Sequence, residues 1–119
     1  MKIKFFKNER GYKHADWADE ELNSRELAWF LNDDIQADDV WCRQLIQIVE
    51  NIQSGEVLNW EGNGNAHVLT LRQDGAEVEN LYDESLPKVR ISLSQFKQVI
   101  EAWLQFIKGS NKEMEIEIL

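Results

Sequence analysis

The chain is poor in the residues that build disulfide frameworks and flexible linkers. It has one cysteine, one proline and six glycines among 119 residues. A lone cysteine excludes an intramolecular disulfide, and so little proline and glycine leaves small room for disordered segments. The composition instead favours a folded core, because 43% of the residues are hydrophobic and five are tryptophan. We therefore predict a single domain over residues 1–119 that folds without a disulfide or a metal.

Long apolar runs are also missing. No stretch approaches the roughly 18 consecutive apolar residues that a membrane-spanning helix needs. The first residues, MKIKFFKNERGY, interleave charges with apolar side chains and lack the apolar region of a secretory signal. With a single unpaired cysteine, these features favour a cytoplasmic protein that does not contact a membrane.

Acidic charge is concentrated in one segment. The net charge is −9, and residues 15–39 contain nine acids against one arginine, a local charge of −8. These acids are Asp16, Asp19, Glu20, Glu21, Glu26, Asp33, Asp34, Asp38 and Asp39. A focused field of one sign speeds association with an oppositely charged protein. The alternative is that the acids only keep the protein in solution.

The charge distribution argues against nucleic acid as a direct ligand, because binding phosphates needs a basic patch. The lysine-rich start alternates with apolar residues, as the solvated face of a strand would. Asp38 has a structural explanation as a helix cap. No other acid of the segment has an evident structural role, so the rest are candidates for contact with a partner.

The first 58 residues predict a strand pair followed by helices. Residues 1–17 read as two strands joined by a turn near Gly11. Residues 24–31 predict a short helix capped by Ser24, or alternatively an extended segment. A longer helix is predicted over 39–54, because apolar residues recur on one helical face and Gly55 follows.

The second half changes to the two-residue period of strands. Residues 58–82 predict a meander of three strands, with a type I′ turn at Asp74-Gly75 and a short strand over 88–91. A capping box of Ser92 and Gln95 predicts a helix over 93–108. Residues 112–119 predict an edge strand or an acidic tail. The expected fold is α+β, an antiparallel sheet of about four to six strands covered by a single layer of two long helices.

Catalytic and metal-binding patterns are weak. Cys42 lies in an apolar helical run and is interpreted as a small buried residue. His14 and His67 are too far apart for a local metal pair, and His67 is interpreted as a cross-strand or partly buried residue. The paired acids are explained by solvation and capping. We predict no catalytic residues, no metal and no cofactor.

The order of several segments resembles the YacL family of small bacterial proteins. These segments are AWFLNDDIQ, the helix that ends in QSGE, NWEGNGNAHVLTLRQDGAEVEN and ISLSQFKQVIEAWLQFIKG. The resemblance covers roughly residues 28–108, and it is carried by order and spacing. The Asn63-Gly64-Asn65 insertion, the lysine-rich start and the acidic tail depart from the family pattern.

Relatives of this family include immunity proteins (CdiI-type) of contact-dependent growth inhibition systems. The resemblance implies an antitoxin that binds and neutralises the C-terminal toxin domain of an exported effector, a basic nuclease of RNase type such as EndoU. The expected partner-binding residues are Asp16, Trp17, Asp19, Glu20, Glu21, Asp33, Asp34 and Asp39. Trp29 is a further aromatic anchor or a core residue. The alternative function is a housekeeping YacL-like protein with another ligand or a weak enzymatic activity.

Overall fold

The computed structural model describes all 119 residues and has seven strands and three α-helices. The strands are β1 (Lys2–Lys7), β2 (Lys13–Trp17), β3 (Asn59–Asn63), β4 (His67–Arg72), β5 (Gly75–Asn80), β6 (Val89–Ile91) and β7 (Glu113–Glu117). The helices are α1 (Leu22–Phe30), α2 (Asp39–Gln53) and α3 (Leu93–Lys108), and a π-helical turn (Leu31–Ile35) continues α1. The predicted α+β class is confirmed.

The strands form two antiparallel sheets, whereas the sequence predicted one. The smaller sheet has the order β2-β1-β7, and the larger has the order β3-β4-β5-β6. The N-terminal strand pair does not join the other four strands, and the C-terminal strand pairs with it instead, with Phe5 opposite Met114. Of the two alternatives for residues 112–119, the structure has the edge strand.

Helix α1 lies between the two sheets, and the expected packing of two long helices as a single layer is not confirmed. Helix α1 contacts β1 and β2 on one side and β5 and β6 on the other. Helix α3 also contacts β5, and its Trp103 ring lies edge-on to Phe5 of β1, with the ring centroids 5.0 Å apart. Both side chains are fully buried. Large aromatic groups therefore connect the smaller sheet to the helices.

Local signals fix the starts of the two long helices. The Asp38 carboxylate accepts a hydrogen bond from the Trp41 amide at the start of α2. Ser92 and Gln95 form both bonds of a capping box at the start of α3. The prediction that Ser24 caps the first helix is wrong, because α1 starts at Leu22 and Ser24 is buried within it.

The hairpin between β4 and β5 forms, but its turn is not of type I′. Arg72 pairs with Gly75, so the two turn residues are Gln73 and Asp74. Neither residue has the positive φ that a type I′ turn requires. The positive φ belongs to Gly75, at the first position of β5.

Candidate functional site

A groove separates strand β2 from helix α1. Its cavity measures about 270 Å³ and is lined by Asp16 and Trp17 from the strand and by Arg25, Glu26 and Trp29 from the helix, among others. Trp29 shares one face of α1 with Arg25 and Glu26, because residues three or four positions apart in a helix lie on the same face. The groove thus belongs to the acidic segment of the sequence.

Two tryptophans stand in this groove in different environments. Trp17 is 50% exposed, and the Arg25 guanidinium lies over its ring, 5.1 Å from the centroid. Trp29 is half-buried, and its indole N–H donates to the Asp33 carboxylate at 2.6 Å. Each tryptophan is therefore held in place by a charged neighbour.

Asn32 of the π-helical turn closes the outer edge of β2. Its side-chain oxygen accepts from the Ala15 amide at 2.8 Å, and its side-chain nitrogen donates to the Ala15 carbonyl at 2.8 Å. The carboxamide thus replaces the neighbouring strand that an edge residue lacks. Because these backbone groups of β2 are already hydrogen-bonded, they are less able to pair with a strand of another molecule.

Behind the groove, a histidine is clamped between two carboxylates. His67 of β4 is fully buried. Its Nε2 lies 3.0 Å from Glu26 Oε2, and its Nδ1 lies 3.0 Å from Asp34 Oδ2. The Asn80 side chain donates to the same Glu26 oxygen at 3.1 Å. The cluster of Glu26, Asp34, His67 and Asn80 joins α1, the π-helical turn, β4 and β5.

This geometry favours the imidazolium form of His67. Burial opposes the charged ring, but hydrogen bonds and charge interactions with Asp34 and Glu26 outweigh it and raise the pKa of His67. A neutral ring carries one N–H and could donate to only one carboxylate. The protonated ring donates to both, which gives two charge-assisted hydrogen bonds.

The π-helical turn separates the two neighbouring acids Asp33 and Asp34. The Asp33 side chain stays at the surface, whereas that of Asp34 is only 2% exposed. Asp34 Oδ1 also accepts from the Ala66 amide at 2.7 Å. Gly64 makes room for this arrangement, because a Cβ at that position would lie 2.6 Å from Asp34 Cγ. The expectation that Asp34 has no structural role is therefore wrong.

Other acids of the segment also have partners within the chain. Asp19 accepts from the Lys2 amide at 2.8 Å and lies 3.9 Å from the N-terminal ammonium, which pairs with Glu21 at 2.9 Å. Asp39 forms ion pairs with Arg43 and Lys108. Three acids of the expected binding set form no ion pair, and they are Asp16, Glu20 and Asp33.

The remaining candidates for chemistry are placed as follows. Cys42 is fully buried, and burial, with Asp38 and Asp39 nearby, raises the pKa of its thiol to about 12. His14 is exposed on β2. No group of three His, Cys, Asp or Glu side chains is arranged to hold a metal ion. None of the helices has the length and apolar character needed to cross a membrane.

Sequence reasoning missed the groove and the clamp around His67. The sequence pattern indicates only a charge for Arg25, and it indicates no role for Asn32. Glu26 and Asp34 lie eight positions apart on α1 and the π-helical turn that continues it, and both reach His67. No rule of local pattern predicts a π-helical turn at this point.

Comparisons of the chain with protein-family models, with curated proteins and with solved structures found no match. The resemblance to the YacL family therefore stays a prediction from the order of the sequence segments.

Proposed function

We propose that the protein is an immunity-type inhibitor that binds a basic protein through an acidic face. We define this face by the residues around the β2–α1 groove that form no ion pair within the chain and by the exposed tryptophan beside them: Asp16, Trp17, Glu20 and Asp33. The observation that carries the proposal is the half-exposed Trp17 indole in a groove that the acids Asp16 and Glu26 also line. Interface hot spots favour tryptophan, and surrounding acids would steer a basic partner toward it.

The proposed partner is the C-terminal toxin domain of a contact-dependent growth inhibition effector, a nuclease of RNase type. An RNA-cleaving domain carries a cationic cleft for phosphates, and carboxylates on the acidic face could occupy that cleft in place of RNA. The YacL-like order of the segments supports this class of partner. EndoU-type RNases are the first toxins to test.

The binding experiment compares two double variants that remove the same charge. Asp16→Asn with Asp33→Asn neutralises the acidic face. Glu61→Gln with Glu84→Gln neutralises two exposed acids outside the face that also form no ion pair. Association rates with a candidate toxin domain, first one of EndoU type, are measured at low and at high salt.

The proposal predicts that the acidic-face variant associates several-fold more slowly and depends less on salt. The matched variant should keep the wild-type rate. Trp17→Ala should cost about 2 kcal/mol or more of binding free energy, as a hot-spot residue does. Equal rates for the two double variants would exclude this face, and failure to protect cells from any toxin encoded near its gene would exclude the immunity function.

Neither His67 nor Cys42 supports the alternative of a weak enzyme. Both side chains are fully buried, so neither reaches a substrate in this conformation. Both His67 nitrogens already face carboxylates, and the raised pKa of Cys42 disfavours the nucleophilic thiolate.

A further inference from the structure

The cavity of the β2–α1 groove is sized for one side chain. Its volume of about 270 Å³ lies just below the range of roughly 300–1,000 Å³ that pockets for small molecules occupy. A long side chain or a compact ligand fits a cavity of this volume. The chemistry of the walls decides which side chain.

An acceptor with no internal partner lies in the wall of this cavity. Glu26 lines it, although its side chain is only 6% exposed. Its Oε2 receives hydrogen bonds from His67 and Asn80, but its Oε1 receives none. Among fully buried side-chain polar atoms, only Ser24 Oγ lacks a hydrogen-bond partner. Because Glu26 Oε1 also lacks a partner, it is not fully buried and belongs to the exposed part of the side chain. A carboxylate oxygen held in this way is free to accept a hydrogen bond from a donor that enters the groove.

The other residues that line the cavity favour a positively charged hydrogen-bond donor. Trp29 lines the cavity, and Asp16, which also lines it, adds a negative charge that forms no ion pair. Cations are attracted to the faces of indole rings. The groove already has one such contact, because the Arg25 guanidinium lies over the Trp17 ring.

We infer that this groove binds one cationic side chain, an arginine or a lysine that the partner inserts, with Glu26 Oε1 as its acceptor, Trp29 beside it and the negative charge of Asp16 nearby. The inference rests on the proposed function for the source of that side chain. It goes further in naming the chemistry that the partner must present. A basic partner would place one arginine or lysine in the groove and its other charges opposite Glu20 and Asp33.

Arg25 makes the opposite ligand the main competitor. An anionic group would pair with Arg25 and avoid Glu26 and Asp16. Replacing Arg25 by a neutral residue therefore distinguishes a cationic ligand from an anionic one, because the two affinities should change in opposite directions. The loss of its positive charge strengthens the binding of a cation and weakens the binding of an anion.

The test uses L-argininamide as the probe and L-citrullinamide, its uncharged analogue, as the matched control. Each is titrated into the isotopically labelled protein, and the indole N–H signals of all five tryptophans are followed by NMR. We expect L-argininamide to shift the Trp17 and Trp29 signals with a dissociation constant on the order of millimolar, since one side chain offers few contacts. Asp16→Asn should weaken this binding several-fold, and Arg25→Gln should tighten it.

Glu26→Gln tests the acceptor, with a safeguard because the same carboxylate also holds His67. An unchanged Trp103 indole signal shows that the variant is folded. In that case its binding of L-argininamide should fall several-fold. If the fold is lost, Asp16→Asn and Arg25→Gln decide the question alone.

Equal shifts with both amides, no shift at either tryptophan, or weaker binding after Arg25→Gln would each overturn the inference. The result stands apart from the binding experiment with the toxin domain. Binding of L-argininamide without toxin binding would keep the pocket and remove the proposed partner. Toxin binding without binding of L-argininamide would keep the acidic face and remove the pocket.

Discussion

His67 Nε2 lies 3.0 Å from Glu26 Oε2 in the interior, although 41 residues separate the two in sequence. The contact joins helix α1 of the acidic segment to β4, an inner strand of the larger sheet. Asp34 completes the clamp from the other side of the ring. Two acids of the segment thus hold a buried cation, so the −8 charge of the sequence is not all presented to solvent.

Replacing His67 by alanine should strongly destabilise the fold. The change would leave the buried carboxylates of Glu26 and Asp34 without their shared partner, and breaking a buried charge pair typically costs about 3–5 kcal/mol. The free energy of unfolding, measured by urea denaturation at pH 6, should fall by that amount.

The control for this prediction is His14→Ala, because His14 is the only other histidine and is exposed. Its stability should stay within about 0.5 kcal/mol of the wild type, as for most surface changes. A His67→Ala protein as stable as the His14→Ala protein would contradict the clamp.

Stability should also depend on pH through His67. Its pKa is raised above the ordinary value of 6.5, since hydrogen bonds to Asp34 and Glu26 outweigh the effect of burial. A raised pKa in the folded state means that the proton stabilises the fold fully below about pH 6.5, the ordinary value. This contribution is lost as the pH rises from there through the folded pKa.

Urea denaturation at intervals from pH 6 to 8 measures this loss. In this range Cys42 contributes little, because its thiol loses a proton in the unfolded chain only near the ordinary pKa of 9.0. The free energy of unfolding should decline with pH in the wild type and decline less in His67→Gln. Parallel curves for the two proteins would assign the pH dependence to other groups.

Local sequence patterns predict more of the fold than of the candidate site. The starts of α2 and α3 follow from side chains one turn from the residues they cap, as Asp38 and Ser92 do, and a local rule captures such contacts. The pairing of β7 with β1 and the clamp around His67 join residues 33 to more than 100 positions apart. Local periodicity carries no information about such pairings, so one sheet was predicted where two exist.

The acidic segment shows the same limit. Its composition predicts a charged surface correctly for Glu20 and Asp33, which are exposed. Composition does not tell which acid turns inward, because that depends on the π-helical turn and on the space beside Gly64. A double variant of Asp33 and Asp34 would therefore test stability together with binding.

Cys42 should resist thiol reagents as long as the protein is folded. Its side chain is fully buried, and burial raises the pKa of the thiol to about 12, so the reactive thiolate is scarce at neutral pH. Labelling with a chromogenic disulfide reagent at pH 8 should be slow in buffer and complete within minutes in concentrated urea. Fast labelling without urea would show that α2 opens locally.

Asn32→Ala should destabilise the protein and expose the outer edge of β2. The change removes both hydrogen bonds to the backbone of Ala15, a residue that is 1% exposed. Leaving a buried polar group without a partner costs about 1–3 kcal/mol, and an unpaired strand edge promotes self-association. Urea denaturation should show the loss of stability, and light scattering should show larger species as the concentration rises.

Asn32→Asp keeps the acceptor for the Ala15 amide but loses the donor to its carbonyl, so we expect an intermediate loss. Gln98→Ala, an exposed change on α3, serves as the control, and an Asn32→Ala protein that behaves like it would show that the edge of β2 needs no cover.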